Sequence, residues 1–244
     1  MHNELVCFSD LAQFREQFDI GDDFLELGYK RIISGDNVAE AEQLMYFQVL
    51  YIDGITSSGK STLLDLLQKE IPDAHFIPEA IDTIPFPHRN VNPSRPIVDQ
   101  LRAEFWFYNQ YIKKDEEIRQ YTGKVIVDRG LLGLFCYSNL LSDQNEVSLR
   151  IMRRASQRQW APGLYIFLTA RPEVIRERLL TRNDTARIRE EDWINSVGSY
   201  IELLHKSVKN VASQAGVYLL DTSEKSPHEV MLEVKNLFNA YCEN

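Results

Sequence analysis

Cysteine, long apolar runs and excess positive charge are all scarce in this sequence of 244 residues. Its three cysteines, Cys7, Cys136 and Cys242, lie far apart and form no CxxC pair, which argues against a disulfide framework and favours a reducing, cytoplasmic environment. No stretch is long and apolar enough to span a bilayer, and the N-terminus lacks the apolar run of a signal peptide. We therefore expect no membrane partner.

Basic residues are outnumbered, since 27 Lys and Arg stand against 36 Asp and Glu and the formal net charge is −9. General nucleic-acid binding needs a broad basic face to neutralise phosphates, so this composition argues against a nucleic-acid partner. A local cluster of arginines would still suffice to bind a small phosphorylated ligand. The histidines show no spacing typical of metal ligands.

Short apolar runs alternate with helical patterns over residues 47–244, which predicts an α/β domain. Three of the five runs are almost continuously apolar, as expected for parallel strands covered on both faces. Helical patterns follow the first, second, fourth and fifth runs and favour βαβ units. Residues 1–46 precede this domain and are expected to form a helical extension packed on it. The five predicted strands cover residues 47–55, 75–80, 124–130, 164–170 and 217–223.

The turn after the first predicted strand carries a specific motif. GITSSGKS, residues 54–61, matches G-x-x-x-x-G-K-[ST] and lies between an apolar strand and a leucine-rich helix. Its glycines let the backbone curl until the amides point at an anion, and the helix N-terminus adds a positive dipole. Lys60 is expected to reach the β- and γ-phosphates, and the Ser61 hydroxyl to ligate Mg²⁺. The predicted triphosphate site comprises Gly54, Thr56, Ser57, Ser58, Gly59, Lys60, Ser61 and Thr62.

Charged residues follow the second and third predicted strands. Because ligands of open parallel sheets bind at the carboxyl ends of the strands, Glu79, Asp128 and Arg129 are candidate site residues. Glu79 could accept the proton of an attacking hydroxyl, Asp128 could hold Mg²⁺ through water, and Arg129 could clamp phosphate oxygens. The alternative is that Glu79 caps or pairs with a helix, and that Asp128 and Arg129 form a surface pair.

Arginines crowd the segment 171–189. Arg178 and Arg182 lie four residues apart and share a helix face, whereas residues 183–189 lack apolar periodicity. A mobile, arginine-bearing lid of this kind would close on the triphosphate and neutralise charge that develops during phosphoryl transfer. We expect Arg182, Arg187 and Arg189 to take this role. The alternative is a solvated helix face paired with nearby glutamates.

An aromatic stretch, EFWFYNQY at residues 104–111, follows the second strand. Its rings are expected mainly to pack in the core, which is the commoner fate of such stretches. Glu104, Asn109 and Tyr111 could alternatively line a pocket the size of a nucleobase, because aromatic rings stack on bases.

Taken together, these residues resemble the P-loop nucleoside and nucleotide kinases, in particular the deoxynucleoside kinase and thymidylate kinase group. The resemblance spans about residues 47–238 and rests on GITSSGKST, PEA, VDRG and LTARPEVIRERLLTRN. It implies a P-loop NTPase fold of three α/β/α layers, whose five-stranded parallel sheet has the order 2-3-1-4-5, with flanking helices and an arginine-rich lid. Kinases of this group are often dimers, so a homodimer is a further expectation.

The resemblance also implies ATP- and Mg²⁺-dependent transfer of the γ-phosphoryl group to a nucleoside or nucleoside monophosphate. Glu79 would be the general base, Arg129 would bind phosphate and Asp128 would assist Mg²⁺. The lid arginines and Arg178 would hold the transferring group, and the loop near Thr222 would pack on adenine.

Among the departures of the sequence from the deoxynucleoside kinase pattern, two leave the acceptor open. Ala80 and Ile81 follow the candidate base where Pro-Val is usual, and the Asp-Arg pair after the third strand is commoner in thymidylate kinases. Two rival functions therefore stay open: a kinase of the same fold that acts on a non-nucleoside alcohol, and a nucleotide-binding regulatory module without acceptor turnover.

Overall fold

The computed structural model describes residues 48–80, 97–138, 144–155, 157–181, 191–215 and 217–243. The predicted extension at residues 1–46 lies outside these ranges, and so do the lid positions Arg182, Arg187 and Arg189. The strands are β1 (Gln48–Gly54), β2 (His75–Ile77), β3 (Lys124–Asp128), β4 (Leu164–Thr169) and β5 (Tyr218–Asp221). The helices of the described ranges are α1 (Lys60–Glu70), α2 (Ile97–Ile118), α3 (Leu131–Ser138), α4 (Gln144–Ala155), α5 (Pro172–Thr181), α6 (Glu191–Ala215) and α7 (Pro227–Glu243).

The five strands form one parallel sheet in the order β2-β3-β1-β4-β5, which confirms the fold class that the resemblance implied. In the central strand, Ile52 lies opposite Asp128 of β3 and Gly54 lies opposite Leu168 of β4. This register brings the carboxyl ends of the strands to one edge of the sheet, where ligands of such folds bind. Each predicted strand is slightly longer than the observed one. At β1 the apolar pattern continues into the turn, where Ile55 is buried.

Both faces of the sheet are covered by helices. Val49 and Tyr51 of β1 pack in the cluster that includes buried residues of α2, α3, α4 and α6. Leu50 and Ile52 alternate with them and pack against buried residues of α1 and α7. This two-residue alternation between two cores explains why the strands read as continuously apolar.

Helix α3 was not predicted from the sequence. Its residues, LLGLFCYS, are nearly all apolar, so they lack the amphipathic period that indicates a surface helix. The helix packs against β1, α2, α4 and α6, and Phe135 and Cys136 are almost fully inaccessible. Among the helices of the described ranges, none combines the length and apolarity that crossing a membrane requires.

Candidate active site

The turn between β1 and α1 has a backbone shaped for an anion. Ser57 and Gly59 have φ values of 60° and 97°, both in the left-handed region, and α1 begins immediately afterwards at Lys60. Within the described ranges, the buried side-chain oxygens of Ser57 and Ser58 have no hydrogen-bond partner. Buried polar atoms normally have partners, so these hydroxyls and the free amides at the helix N-terminus fit the oxygens of a bound phosphate.

Lys60 lies at the centre of a charged cluster at the carboxyl edge of the sheet. Its Nζ donates to Oδ1 of Asp128 at 2.5 Å and to Oε2 of Glu79 at 3.4 Å. The lysine side chain is only 8% exposed. The structure therefore brings together the phosphate loop and the two acids that the sequence placed after β2 and β3.

Arg129 belongs to the same cluster and pairs with Glu79. Its Nε donates to Oε1 of Glu79, and its Nη1 donates to the Gly54 carbonyl at 3.2 Å. The guanidinium lies over the ring of Tyr137, 5.1 Å from the centroid. Because the arginine side chain is 14% exposed and bonded to β1 and to the segment after β2, it is not the surface residue of the alternative interpretation.

The electrostatics keep Glu79 ionised. Burial acts to raise the pKa of Glu79, but the charges of Arg129 and Lys60 outweigh it and hold that pKa below the ordinary 4.5. An ionised carboxylate at neutral pH can accept a hydrogen bond or a proton from a hydroxyl placed beside it. The same two cations would neutralise phosphate oxygens that enter the cluster.

Arg178 and Thr222 connect the far side of the sheet to the phosphate loop. The Thr222 hydroxyl is buried and donates to the carbonyl of Ser58 at 2.9 Å. Arg178 in α5 donates to the carbonyls of Ser57 at 3.3 Å and of Thr222 at 2.8 Å. Both side chains thus brace the loop backbone, Thr222 from the carboxyl end of β5 and Arg178 from α5.

Two other arginines of the same region lie at the surface. Arg171 pairs with Glu224, and Arg176 pairs with Glu202 at 2.9 Å, and all four side chains are well exposed. For Arg171 and Arg176, the alternative of solvated arginines paired with glutamates is therefore the one that the structure shows.

Sequence reasoning missed two buried charged residues beside this cluster, Asp53 and Lys114. Oδ2 of Asp53 in β1 accepts from the Gly130 amide at 2.9 Å, and Nζ of Lys114 in α2 donates to the Asp128 carbonyl at 2.5 Å. Both had a signal in the sequence. Asp53 interrupts an apolar strand, and Lys114 falls on the buried face of α2, between Tyr111 and Ile118. A charge at a buried position normally has a partner.

The described residues contain no group of three or more His, Cys, Asp or Glu side chains placed to hold an ion. The two predicted ligands are the Ser61 hydroxyl, at the exposed start of α1, and the Asp128 carboxylate, which faces Lys60. Two protein oxygen donors are enough for Mg²⁺, because this ion is commonly bound by one or two protein groups together with phosphate and water oxygens.

A sequence model of the deoxynucleoside kinases matches residues 50–242, which includes the phosphate loop and every described residue of the cluster. The chain belongs to the deoxynucleoside kinase family. It is therefore a P-loop phosphotransferase with a nucleotide as phosphate donor, as the motifs predicted. No curated protein matches it at a significant level of sequence similarity.

Solved structures share the fold of this deoxynucleoside kinase family member at low sequence identity. Deoxyadenosine kinase from M. mycoides with bound dATP is 15% identical, with a TM-score of 0.55 over 78% of this chain and 98% of that chain. Thymidylate kinase from Candida albicans is 15% identical, with a TM-score of 0.53 over 80% and 92%. The YorR protein from Bacillus subtilis, in complex with phosphorylated GDP, is 20% identical, with a TM-score of 0.51 over 80% and 98%.

Proposed function

We propose that this protein transfers the γ-phosphoryl group of ATP, in the presence of Mg²⁺, to a nucleoside or a nucleoside monophosphate. The observation that carries the proposal is the meeting of the phosphate-loop lysine, a candidate base and an arginine at one edge of the sheet. These groups are Lys60, Glu79 and Arg129, and the lysine reaches the glutamate at 3.4 Å. Family membership supports a kinase over a regulatory module without acceptor turnover.

On the donor side, the amides of Ser57, Gly59 and Lys60 and the Lys60 ammonium would bind the β- and γ-phosphates, whereas the Ser58 amide donates to the Ile55 carbonyl at 3.2 Å. Lys60 is now paired with Asp128 and Glu79. Phosphate oxygens would compete for the ammonium, which would free Asp128 to bind Mg²⁺ and Glu79 to accept a proton. Ser61 and Asp128 would hold Mg²⁺, which when bound supplies neutralisation of the phosphate charge. Arg178 and the lid positions Arg182, Arg187 and Arg189 are proposed to stabilise the transferring group.

On the acceptor side, Glu79 would accept the proton of a nucleoside hydroxyl. Its depressed pKa keeps it ionised, and its location beside Lys60 places it next to the phosphate loop. Arg129 would bind phosphate oxygens, either those of the transferring group or those of a monophosphate acceptor. Proteins of similar fold include a deoxyadenosine kinase and a thymidylate kinase, so both acceptor classes are proposed.

The substitution Glu79→Gln tests the proposal. We expect kcat to fall by roughly a hundredfold or more, because an amide has no proton-accepting carboxylate. Binding of MgADP, measured by calorimetry, should change less than about threefold, since the loop amides remain. Glu70→Gln is the matched control, because Glu70 is an exposed glutamate of α1 that pairs with Lys235 on the surface.

The acceptor is identified by ADP release with a panel of nucleosides, nucleoside monophosphates and other alcohols. A strong preference for a non-nucleoside alcohol would overturn the acceptor class, and a kcat within about threefold of wild type for Glu79→Gln would rule out the base role. The homodimer implied by the resemblance stays a prediction, which light scattering of the purified protein tests.

A further inference from the structure

We propose that Lys114 is a positioning residue, which holds the backbone of Asp128 and Arg129 in the conformation that aims both side chains into the candidate active site. The inference rests on the proposed function, because the two side chains are those assigned there to Mg²⁺ and to phosphate. Lys114 itself touches neither the phosphate loop nor Glu79 through any hydrogen bond seen among the described residues.

The segment after β3 has an unusual backbone. Arg129 has φ 65°, in the left-handed region that side chains other than glycine rarely adopt. Such a conformation costs free energy and persists only where the surroundings hold it. It turns the chain immediately after β3, so that Asp128 meets Lys60 while the next residue, Arg129, meets Glu79.

Separate elements bond the peptide groups of this turn. From α2, Lys114 Nζ donates to the carbonyl of Asp128 at 2.5 Å and to that of Arg129 at 3.3 Å. From β1, the Ile52 carbonyl accepts from the Arg129 amide at 3.0 Å, and Asp53 accepts from the Gly130 amide at 2.9 Å. One lysine therefore supplies the donor for two successive carbonyls of the turn, and no backbone amide replaces it in the described ranges.

Burying the charge of Lys114 costs free energy, and an uncharged side chain could pack at this position without that cost. Lys114 is 7% exposed, and a buried ammonium is expensive unless it is paired. Burial lowers its pKa to about 8, against the opposing effect of the nearby carboxylates. A leucine or methionine would fill the same helical position without that penalty. The cluster balances its charges, with the carboxylates of Asp53, Glu79 and Asp128 against the cations of Lys60, Arg129 and Lys114. Removal of Lys114 would therefore leave an excess of negative charge.

The test compares Lys114→Met with Lys113→Met, the neighbouring lysine, which is exposed on the same helix. We expect Lys114→Met to lower kcat at least tenfold while the Kd for MgADP stays within about threefold, because the loop contacts to phosphate do not involve Lys114. Lys113→Met should leave both quantities unchanged. A kcat for Lys114→Met within about threefold of wild type overturns the proposal, and so does an equal loss of turnover and MgADP affinity.

A second readout does not depend on turnover. Amide hydrogen exchange, followed by NMR, should show protection of Arg129 and Gly130 falling at least tenfold in Lys114→Met, while Leu63, whose amide bonds to Gly59, keeps its protection. Unchanged protection of the turn overturns the proposal. If the wild-type protein phosphorylates no nucleoside or nucleotide, the proposed function fails, and this exchange experiment still decides the role of Lys114. If Lys114→Met does not fold, Lys114→Gln is measured in the same way; if neither folds, Lys114 serves stability and the positioning role is refuted.

Discussion

Glu104 provides a quantitative test of the electrostatics in this fold. It lies in α2, it is 8% exposed, and its Oε2 has no hydrogen-bond partner within the described part of the chain. Burial raises the pKa of Glu104 from 4.5 to about 8. The carboxyl group is therefore largely protonated in the folded protein at neutral pH and ionised in the unfolded chain.

The sign of the effect on stability follows from proton linkage. Between pH 4.5 and 8 the folded state binds a proton at this site that the unfolded state has lost, so the free energy of unfolding falls as pH rises. With the two pKa values above, the loss between pH 5 and pH 8 amounts to between about 3 and 4 kcal/mol for this group. Well above pH 8 the group is ionised in both states and the loss levels off.

The substitution Glu104→Gln removes this proton while it preserves the shape of the side chain. Chemical denaturation at pH 5, 6, 7 and 8 measures the free energy of unfolding. The value for the variant should rise relative to that of wild type as pH rises, by about 3 kcal/mol over the series. Glu116→Gln makes the same substitution at an exposed position of the same helix and should leave the pH dependence of the free energy of unfolding unaltered. The reasoning is refuted if the free energies of unfolding of Glu104→Gln and wild type differ by an amount that stays constant within about 1 kcal/mol from pH 5 to pH 8.

Two further substitutions test the packing and bracing of the site. Gly133→Ala in α3 should lower the free energy of unfolding by about 1 to 3 kcal/mol, although alanine favours helices, because its Cβ would lie 2.0 Å from Oδ1 of Asp53. Gly123→Ala is the control, since an added Cβ there meets no described atom within 4 Å. Equal free energies of unfolding for the two variants would contradict the argument. Thr222→Val removes the hydroxyl that bonds the Ser58 carbonyl, so calorimetry should show roughly tenfold weaker MgADP binding and denaturation a loss of about 1 to 2 kcal/mol. Thr222→Ser should recover both, and undiminished affinity in the valine variant would show that the bracing is dispensable.

Local patterns in the sequence were sufficient to predict a parallel α/β sheet and the phosphate loop, whereas the strand order was implied by the family resemblance. Continuous apolar runs of strand length between helical patterns predicted a parallel sheet covered on both faces, and the sheet has that form. GITSSGKS predicted a strand, a turn with unusual backbone angles and a helix start, all of which lie within one stretch of chain. Helix α3 was missed because a uniformly apolar segment carries no period.

The meeting of the charged groups was less accessible from sequence. Glu79 and Arg129 are 50 residues apart in the chain, and Lys60 and Asp128 are 68 apart. Placing each at a strand end predicted that they share an edge of the sheet, but the pairing of Arg129 with Glu79 depends on β3 lying between β1 and β2. Asp53 and Lys114 have individual signals as buried charges, yet their partners are backbone groups of the VDRG turn, and no pattern in the sequence pairs a side chain with a backbone group so distant in the chain.

The sequence by itself determined the alternation of strands and helices, apart from α3, and the phosphate loop, because backbone conformational preferences and short-range hydrogen bonds act between neighbouring residues. Only the tertiary structure decided which acids, bases and carbonyls contact one another, and which carboxyl groups stay protonated. These properties depend on distances across the sheet and on the removal of water by burial, and neither exists until strands and helices that are distant in the chain have packed together.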